Sequence, residues 1–385
     1  MDATCCFSRG PLTGLKIIEF AAIGPVPYCG MLLADMGADV ILVDSPRPRD
    51  TRMPVDPARD PLWRGRSRLL LDMKDDKDRE RLLVIVETAD ILIEGYRPGV
   101  MERLGVGPDV CLKRNPQLVY GRATGWGQSG PLSQTAGHDP NYVALMGVLH
   151  SIGYPDRPPT PPLNLVGDFA GGSLFLAMGV LAALTCVRAG GKGQVVDAAI
   201  VDGAASLMTM AYAMRANGQW SDRRGTNLLD GSCPFGSAYE TADGRYVMAC
   251  CLEPPFYAQM LRGLDLDPAT LPAQDDRSRW PELRARIGAV FRTRTRDEWA
   301  ALFERTDACV TPVLDMGEAI AHPQNKERGV FVGADHLPTA APRFSATPTQ
   351  HAPAIGVAPL GLLEQWGIGP AGLQRASGDR DGPGS

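Results

Sequence analysis

Short β-branched segments alternate regularly with amphipathic segments between residues 15 and 124. The strand-like segments are LKIIEF, VILVD, RLLLDMK, DILIEGY and LVYGRAT, and the helix-like ones between them include PYCGMLLADMGAD and DRERLLVIVETAD. Strands that alternate with helices at this spacing favour parallel βαβ units with helices on both faces of one sheet. The sequence therefore predicts an α/β fold with a large, doubly wound, Rossmann-like domain.

Changes of composition divide the 385 residues further. We predict a large domain over 1–215, a polar, glycine-rich linker over 216–231, a smaller domain over 232–315 and a disordered tail over 371–385. Within the smaller domain, AYETADGRYVMACC is typical of a hairpin that turns at Asp243-Gly244.

Charge and cysteine content exclude several classes of protein. The net charge of -5 gives no basic footprint for nucleic acid or for an anionic membrane surface. Nine cysteines without a CxxC pair are typical of reduced thiols, and the first residues do not resemble a secretory signal. We therefore expect a cytoplasmic protein with no nucleic-acid or membrane partner.

An uncharged run from Phe169 to Val187 nearly reaches the length of a membrane helix. Gly171, Gly172 and Gly179 lower its hydrophobicity, and no comparable second segment follows. A helix buried inside a large domain is the favoured interpretation.

The common cofactor motifs do not occur. The turn after the first strand, AAIGPVPYCG, has no GxGxxG, and the chain has no GxxxxGK[ST]. The five histidines do not fall in HExxH or a comparable spacing. We therefore expect no metal and no separate cofactor.

Three isolated acid-base groups remain as candidates for chemistry: Asp168, His138 and Glu253. Asp168 precedes a glycine-rich, helix-like run, where an aspartate is either a helix cap or a group that faces a ligand at the helix start. His138 lies in a loop and is either structural or an acid-base group. Glu253 follows an apolar strand and is either solvated or, if buried, a base with a raised pKa.

Basic groups cluster near strand ends of the predicted large domain. They are Arg97 in EGYRPG and Arg64, Arg66 and Arg68 in WRGRSR. Exposed charge is one interpretation. The other is a phosphate site, since open sheets bind nucleotides at strand carboxyl ends and guanidinium groups suit phosphates.

The chain also resembles the family III CoA-transferase (CaiB/BaiF) superfamily and, within it, the bacterial-type α-methylacyl-CoA racemases. The resemblance runs from about Gly10 to Phe344. It is carried by GPLTGLKIIEFAAIGPVPYCGMLLADMGADVI, ADILIEGYRPGVMERLGVGP, ATGWGQSGP, AGHDPNY, PPLNLVGDFAGGS, GKGQVVDAAIVDG and ACVTPVLDMGEAIAHPQNKERGVF.

This resemblance implies a Rossmann-like large domain, a small α/β domain and an interlocked homodimer, with residues 316–370 returning to the large domain. The active site would lie between the large domain of one chain and the small domain of its partner. The substrate would be an acyl-CoA thioester, so CoA enters as part of the substrate. The residues we assign to substrate or CoA binding are Arg97, Arg47, Arg64, Arg66, Ile23, Tyr142 and Gly167.

The resemblance also implies roles for the acid-base groups. Asp168 matches the aspartate that attacks an acyl-CoA in the transferases and exchanges a proton in the racemases. His138, assisted by Glu253, matches the opposing base. Two such groups on opposite faces suit inversion at the α-carbon through an enolate, whose oxygen we expect backbone N–H groups after Asp168 to stabilise.

Two segments depart from the family pattern. CPFGSAYE has small residues where similar racemases have bulky and acidic ones, and Ser45-Pro46-Arg47 replaces the expected Arg-Pro, which leaves Arg47 to supply that contact. A racemase is the first hypothesis. The alternatives are a CoA-transferase with Asp168 as nucleophile, a recruited relative acting on a specialised acyl-CoA, and a non-catalytic acyl-CoA-binding protein.

Overall fold

A computed structural model describes residues 10–47, 60–349 and 359–369 of the chain. The described residues fall into two compact units: those within 1–146, 162–207 and 332–385 form the first, and those within 147–161 and 208–331 form the second. The bounds differ from those of the predicted domains. The second unit also contains residues 147–161 and 208–215 of the predicted large domain, the predicted linker 216–231, and residues 316–331 of the predicted return segment. The predicted tail, 371–385, lies outside the described residues.

The first unit is built on a six-stranded sheet. Its strands are β1 (Lys16–Phe20), β2 (Asp39–Asp44), β3 (Arg66–Leu70), β4 (Ile91–Glu94), β5 (Val119–Thr124) and β6 (Gln194–Ala199). They lie in the order β3-β2-β1-β4-β5-β6, and every neighbouring pair is parallel. The predicted Rossmann-like parallel sheet is confirmed.

Helices cover both faces of this sheet. They are α1 (Pro25–Asp35), α2 (Asp76–Val86), α3 (Val100–Arg103), α4 (Pro108–Arg114), α5 (Asp139–Leu145), a π-helix (Leu165–Leu174), α6 (Phe175–Arg188) and α7 (Ile200–Leu207). Successive strand residues point to opposite faces. Ile18 therefore packs in the cluster that contains Leu82 of α2, whereas Ile17 packs in the cluster that contains Leu33 of α1.

The uncharged run forms the π-helix and α6. Leu165–Arg188 is the one stretch of the described chain that is long and apolar enough to cross a membrane. Within α6, however, Leu176, Val180 and Leu184 are buried against the sheet. The run is therefore a helix that packs on the sheet core, as predicted, but it is not buried on all sides, because Leu174 and Met178 are exposed.

The second unit has a small antiparallel sheet and its own core. Its elements are α8 (Thr209–Ala216), β7 (Gly236–Glu240), β8 (Tyr246–Cys250), α9 (Pro254–Gly263), α10 (Trp280–Phe291), α11 (Arg296–Phe303), β9 (Val310–Pro312), α12 (Met316–Ala321) and α13 (Pro323–Glu327). β7 and β8 form the predicted hairpin, with Gly244 at a φ of 71° in the turn. Aromatic residues, including Tyr239, Phe291 and Trp299, fill the core.

After residue 331 the chain belongs to the first unit again. Two short paired strands, β10 (Phe331–Val332) and β11 (Leu337–Pro338), are followed by α14 (Pro359–Gln365). Leu363 of α14 and Trp366 after it pack in the same cluster as Ile18 and Leu82.

Candidate active site

A cleft of about 910 Å³ opens in the first unit at the carboxyl ends of the sheet strands. The segments that follow β1, β2, β4 and β5 line it, at residues 22–24, 44–47, 95–98 and 123–126. Open parallel sheets bind ligands outside the carboxyl ends of the strands, where the strand order reverses. Here that point lies between β1 and β4, so the cleft is the expected place for a ligand.

Asp168 lines this cleft from the first turn of the π-helix. The expectation that it stands before a helix as a cap is wrong, because the helix begins at Leu165. Wide π-helical turns are frequent at functional sites. Glycines let the π-helix approach α7: a β-carbon on Gly171 would lie 3.0 Å from the Ala204 nitrogen, and one on Gly203 would lie 1.9 Å from the Gly171 oxygen.

The environment of Asp168 favours its protonated form. Burial raises the pKa of this carboxyl to about 6, and the charge of Asp139 also raises it, while a hydrogen bond from Asn164 and the charge of His138 oppose the rise. A carboxyl with a pKa near neutrality both gives and takes a proton at physiological pH.

Asp139 lies beneath Asp168, with only 3% of its surface exposed. Its Oδ2 accepts a hydrogen bond of 2.6 Å from the backbone N–H of Asp168, and the backbone N–H of Gly167 also donates to this carboxylate. Burial raises the pKa of Asp139, against these two hydrogen bonds.

His138 lies on the same cleft as Asp168, immediately before α5. Its backbone N–H donates to Asn141 Oδ1 at 3.0 Å, which caps the start of that helix. The side chain is exposed, and its charge acts on the Asp168 carboxyl. The structure thus brings together two of the three predicted acid-base groups.

Glu253 lies in the second unit, at the N-terminal boundary of α9. It is exposed, so the condition of burial that would make it a base does not hold within this unit. Its assistance to His138 stays a prediction.

The expectation that backbone N–H groups after Asp168 are free to stabilise an oxyanion is wrong at Phe169, the first of them, and the N–H of Asp168 itself is not free either. The N–H of Asp168 donates to Asp139, and the N–H of Phe169 donates to the Asn164 carbonyl oxygen at 3.2 Å. Both donors are therefore occupied.

The assignment of Arg64 and Arg66 to CoA binding is wrong. Arg64 is 5% exposed and makes a two-pronged ion pair with Asp35 of α1. Arg66 is 3% exposed; its Nε donates to Glu19 Oε2 at 2.9 Å, and it also donates to the carbonyl oxygens of Arg64 and Pro27. Both guanidinium groups hold β3 and α1 in the fold and do not line the cleft.

Three other arginines line the cleft: Arg47, Arg68 and Arg97. Arg47 pairs with Asp72 at 2.5 Å, and Arg68 pairs with Asp44 at 2.7 Å. Arg97 is exposed, and no carboxylate in the described part of the chain pairs with it. The cleft therefore offers one unneutralised guanidinium and two paired ones to an anionic ligand.

The remaining predicted binding residues have different positions. Ile23 is 62% exposed in the cleft, and Tyr142 lines it with its ring packed edge-on against Trp126. Gly167, in contrast, is buried and does not line the cleft. A β-carbon there would lie 2.3 Å from Asp139 Oδ2, so this glycine makes room for the Asp139 carboxylate.

CPFGSAYE does not form part of this cleft. Phe235 packs against Tyr257 and Trp280 in the core of the second unit, and Ser237 Oγ donates to backbone carbonyl oxygens. Whether the small residues of this segment change the acyl pocket or a contact with a second copy of the chain stays a prediction.

The sequence analysis did not single out Gly24 and Asn164, and it named Arg68 among the basic groups near strand ends without assigning it to CoA binding; all three line the cleft. Asn164 stands four residues before Asp168, a spacing at which helical side chains meet, and this signal was available. Arg66 and Arg68 are two residues apart in β3 and so share a face of that strand, whereas Arg64 precedes the strand; of the three, only Arg68 lines the cleft.

Comparisons with known proteins agree with this geometry. The model of a family described as CoA-transferase family III matches residues 12–357. Proteins named alpha-methylacyl-CoA racemase from Mus musculus and Homo sapiens are each 40% identical over 376 residues, which cover 96% of this chain and 97% of theirs. The crystal structure of a CAIB/BAIF family protein from Brucella suis matches with a TM-score of 0.77 at 26% identity and covers 91% of this chain and 97% of that one.

Proposed function

The chain belongs to the CoA-transferase family III, and from that premise we propose that it is an α-methylacyl-CoA racemase, an enzyme that interconverts (R)- and (S)-2-methylacyl-CoA thioesters. The 40% identity to two racemases over nearly the whole chain supports this activity. The observation that carries the proposal in the molecule is that Asp168 and His138 line one cleft and interact electrostatically.

The reaction needs one group that removes the α-proton and another that returns a proton to the opposite face. In one direction the Asp168 carboxylate takes the α-proton, the electron pair of the C–H bond moves into the thioester to form an enolate, and protonated His138 gives its proton to the α-carbon. The enzyme is left with protonated Asp168 and neutral His138. In the other direction the same steps run in reverse, so no proton is gained or lost overall.

A pKa of about 6 suits Asp168 to this exchange. A carboxyl with an ordinary pKa near 4 is a poor acid-base partner for a carbon acid at neutral pH. Burial and the neighbouring Asp139 charge bring the proton affinity of Asp168 close to that of an imidazole.

The CoA part of the substrate would bind along the arginine-lined wall of the cleft. Arg97 is exposed there, with Arg47 and Arg68 on the same wall. Binding energy from such remote contacts holds the α-carbon between the two acid-base groups. The acyl-CoA supplies its own CoA, and the two-base exchange as proposed calls for no further cofactor.

The proposal extends to the assembly and the compartment. The family resemblance implies an interlocked homodimer, in which the Glu253 that assists His138 comes from a second copy of the chain. A net charge of -5 favours neither nucleic acid nor an anionic membrane as a partner. We place the enzyme in the cytoplasm.

The test is α-proton exchange. The purified protein is incubated with (R)- and with (S)-2-methylacyl-CoA in deuterated water; mass spectrometry follows deuterium gain and chiral analysis follows inversion. Asp168→Ala and His138→Ala are measured beside the parent. Deuterium incorporation with loss of stereochemistry, abolished in both variants, is the expected result.

The main alternative predicts a different product. A CoA-transferase with Asp168 as nucleophile would move CoA to an added carboxylic acid and leave the α-proton in place, with Asp168 required and His138 not. That outcome would replace the racemase by the transferase. If the protein shows neither activity, a specialised thioester substrate or a non-catalytic role becomes the favoured hypothesis.

A further inference from the structure

Asp139 is a buried carboxylate for which the proposed proton exchange has no role. It is 3% exposed, although it follows an exposed histidine and precedes an exposed proline. A buried carboxylate is costly unless specific contacts compensate for its lost hydration. An ordinary first-turn acid that favours the helix dipole does so from an exposed position.

The contacts of Asp139 are directed at the backbone that carries Asp168. Its Oδ2 accepts the N–H of Asp168 at 2.6 Å, and the adjoining N–H of Gly167 donates to the same carboxylate. Its Oδ1 is buried and accepts no hydrogen bond from any described residue. The carboxylate thus anchors the π-helix turn through Oδ2, and its charge acts on the Asp168 carboxyl.

Gly167 is shaped to this contact. A β-carbon at residue 167 would lie 2.3 Å from Asp139 Oδ2 and 2.7 Å from its Cγ, so only glycine lets the carboxylate reach the backbone. The contact therefore depends on both residues: an aspartate at position 139 and a glycine at position 167.

We propose that Asp139 is a positioning residue for proton exchange at Asp168: its carboxylate fixes the Gly167–Asp168 backbone so that the Asp168 carboxyl faces the cleft, and it keeps a negative charge beside that carboxyl. The inference rests on the proposed function, because it assumes that Asp168 exchanges a proton with the substrate. Asp139 itself does not touch the reacting atoms.

Other charged and titratable groups face this pair from the elements packed around it. His138 and Tyr142 belong to the α5 region and Arg97 to the loop after β4, and all three line the same cleft. From α1, Tyr28 stacks on Phe169 with ring centroids 4.4 Å apart. The acid of α7, Asp202, is exposed. Asp139 is the one whose charge raises the pKa of Asp168.

The test compares Asp139→Ala, Asp139→Asn and Asp202→Asn with the parent chain. Asp202→Asn is the matched control, because it removes an exposed aspartate from a helix that packs on the same π-helix. We expect Asp139→Ala to lower kcat for α-proton exchange on the order of 10- to 100-fold, the cost of misplacing a catalytic group, with KM nearly unchanged. Asp139→Asn keeps an oxygen that accepts the N–H and should recover part of kcat.

The effect of the Asp139 charge on Asp168 can be measured separately from its effect on kcat. Because Asp139→Asn removes a like charge, the acidic limb of its kcat/KM profile should move to lower pH. The pH midpoint of carbodiimide labelling of Asp168, followed by peptide mass spectrometry, should move in the same direction without any need for turnover. A merely structural role would change thermal stability and leave both midpoints in place.

The inference is overturned if folded Asp139→Ala keeps the parental kcat, or if Asp139→Asn leaves both midpoints unmoved. If Asp139→Ala does not fold, Asp139→Asn decides alone. Failure of the proposed function looks different, since the parent chain would then exchange no α-proton while the labelling midpoint of Asp168 still depends on Asp139.

Discussion

The α-carbon of Gly24 faces the carboxyl group of Asp168 so closely that a β-carbon at residue 24 would lie 3.3 Å from all three carboxyl atoms. Gly24 also has a φ of 74° and a ψ of -121°, a backbone conformation that residues with a side chain rarely adopt. The loop after β1 therefore forms one wall around Asp168, and the π-helix with Asp139 beneath it forms the other.

Replacing this glycine should affect both stability and catalysis. Gly24→Ala is expected to cost about 1–3 kcal/mol of unfolding free energy from backbone strain and to lower kcat for α-proton exchange, since either the loop or the Asp168 carboxyl must move. Urea denaturation and the deuterium-exchange assay measure the two effects. The control is Gly14→Ala, which meets the same kind of strain at a φ of 83° but has no atom within 4 Å of its new β-carbon. If the control loses as much kcat as Gly24→Ala, the contact with Asp168 is not what matters.

The pH dependence of the racemase follows from the pKa of about 6 at Asp168. In the proposed mechanism, Asp168 and His138 together carry one proton in both directions of the reaction. Both enantiomers should therefore give the same pH profile of kcat/KM, with an acidic limb that falls below about pH 6 as the pair takes up a second proton. Initial rates for each enantiomer, measured at constant ionic strength between about pH 4.5 and 9, give the two profiles; this range brackets the ordinary pKa values of carboxyl and imidazole groups. An acidic limb near pH 4 would mean that Asp168 titrates as an ordinary surface carboxyl.

The same raised pKa makes Asp168 a source of instability. Its folded pKa of about 6 lies above the ordinary value near 4, so the folded state binds the proton more tightly than the unfolded state. Ionisation of Asp168 therefore does not lower the free energy of unfolding below about pH 4. The loss of unfolding free energy grows between about pH 4 and 6 and reaches its full size above about pH 6. Asp168→Asn should therefore raise the thermal unfolding temperature at pH 8 and lose this advantage near pH 4. A variant that is less stable than the parent at pH 8 would contradict the burial cost, and Asp202→Asn serves as the control.

The sheet could be predicted from the sequence because its strands carry a local signal. Segments such as VILVD and DILIEGY are short, β-branched and bounded by turns, and their spacing leaves room for one helix each. The hairpin at Asp243-Gly244 was equally local. The units were harder to predict, because residues 147–161 and 208–331 meet through contacts that are distant in sequence.

Part of the candidate site could also be predicted, because some of its residues lie in local sequence motifs. Asp168 and His138 were identified through motifs, and the cleft through strand ends. Arg64 and Arg66 were misassigned because a sequence does not show which carboxylate a buried arginine meets; Asp35 and Glu19 lie 29 and 47 residues earlier in the chain. The role of Gly167 was likewise hidden, since it depends on Asp139, which approaches it in space from another element.

Because Arg66 is buried in an ion pair and Arg97 is exposed in the cleft, replacing the first should affect stability and replacing the second should affect substrate binding. Arg66→Met leaves Glu19 buried without its partner and should cost about 3–5 kcal/mol of unfolding free energy. Arg97→Met removes an exposed guanidinium, so stability should change by less than about 0.5 kcal/mol while KM for the acyl-CoA rises. Urea denaturation and steady-state kinetics on both variants check this. If Arg66→Met stayed fully stable and raised KM, the original assignment of this residue to CoA binding would stand.

The proposed homodimer, in which a second copy of the chain supplies Glu253 to each active site, can be tested by complementation. Asp168→Asn and Glu253→Gln are each expected to abolish or strongly lower exchange as homodimers. If the base assembly uses Asp168 of one chain and Glu253 of the other, a heterodimer of the two variants contains one site with both substitutions and one site with neither. Coexpression with two different affinity tags isolates that heterodimer, and its activity should be about half that of the parent, since non-interacting sites contribute additively.

If Asp168 and Glu253 of the same chain served one site, each site of the heterodimer would carry one substitution and the activity would stay at the level of the single variants. A chain that purifies only as a monomer and is fully active would rule out the shared site altogether.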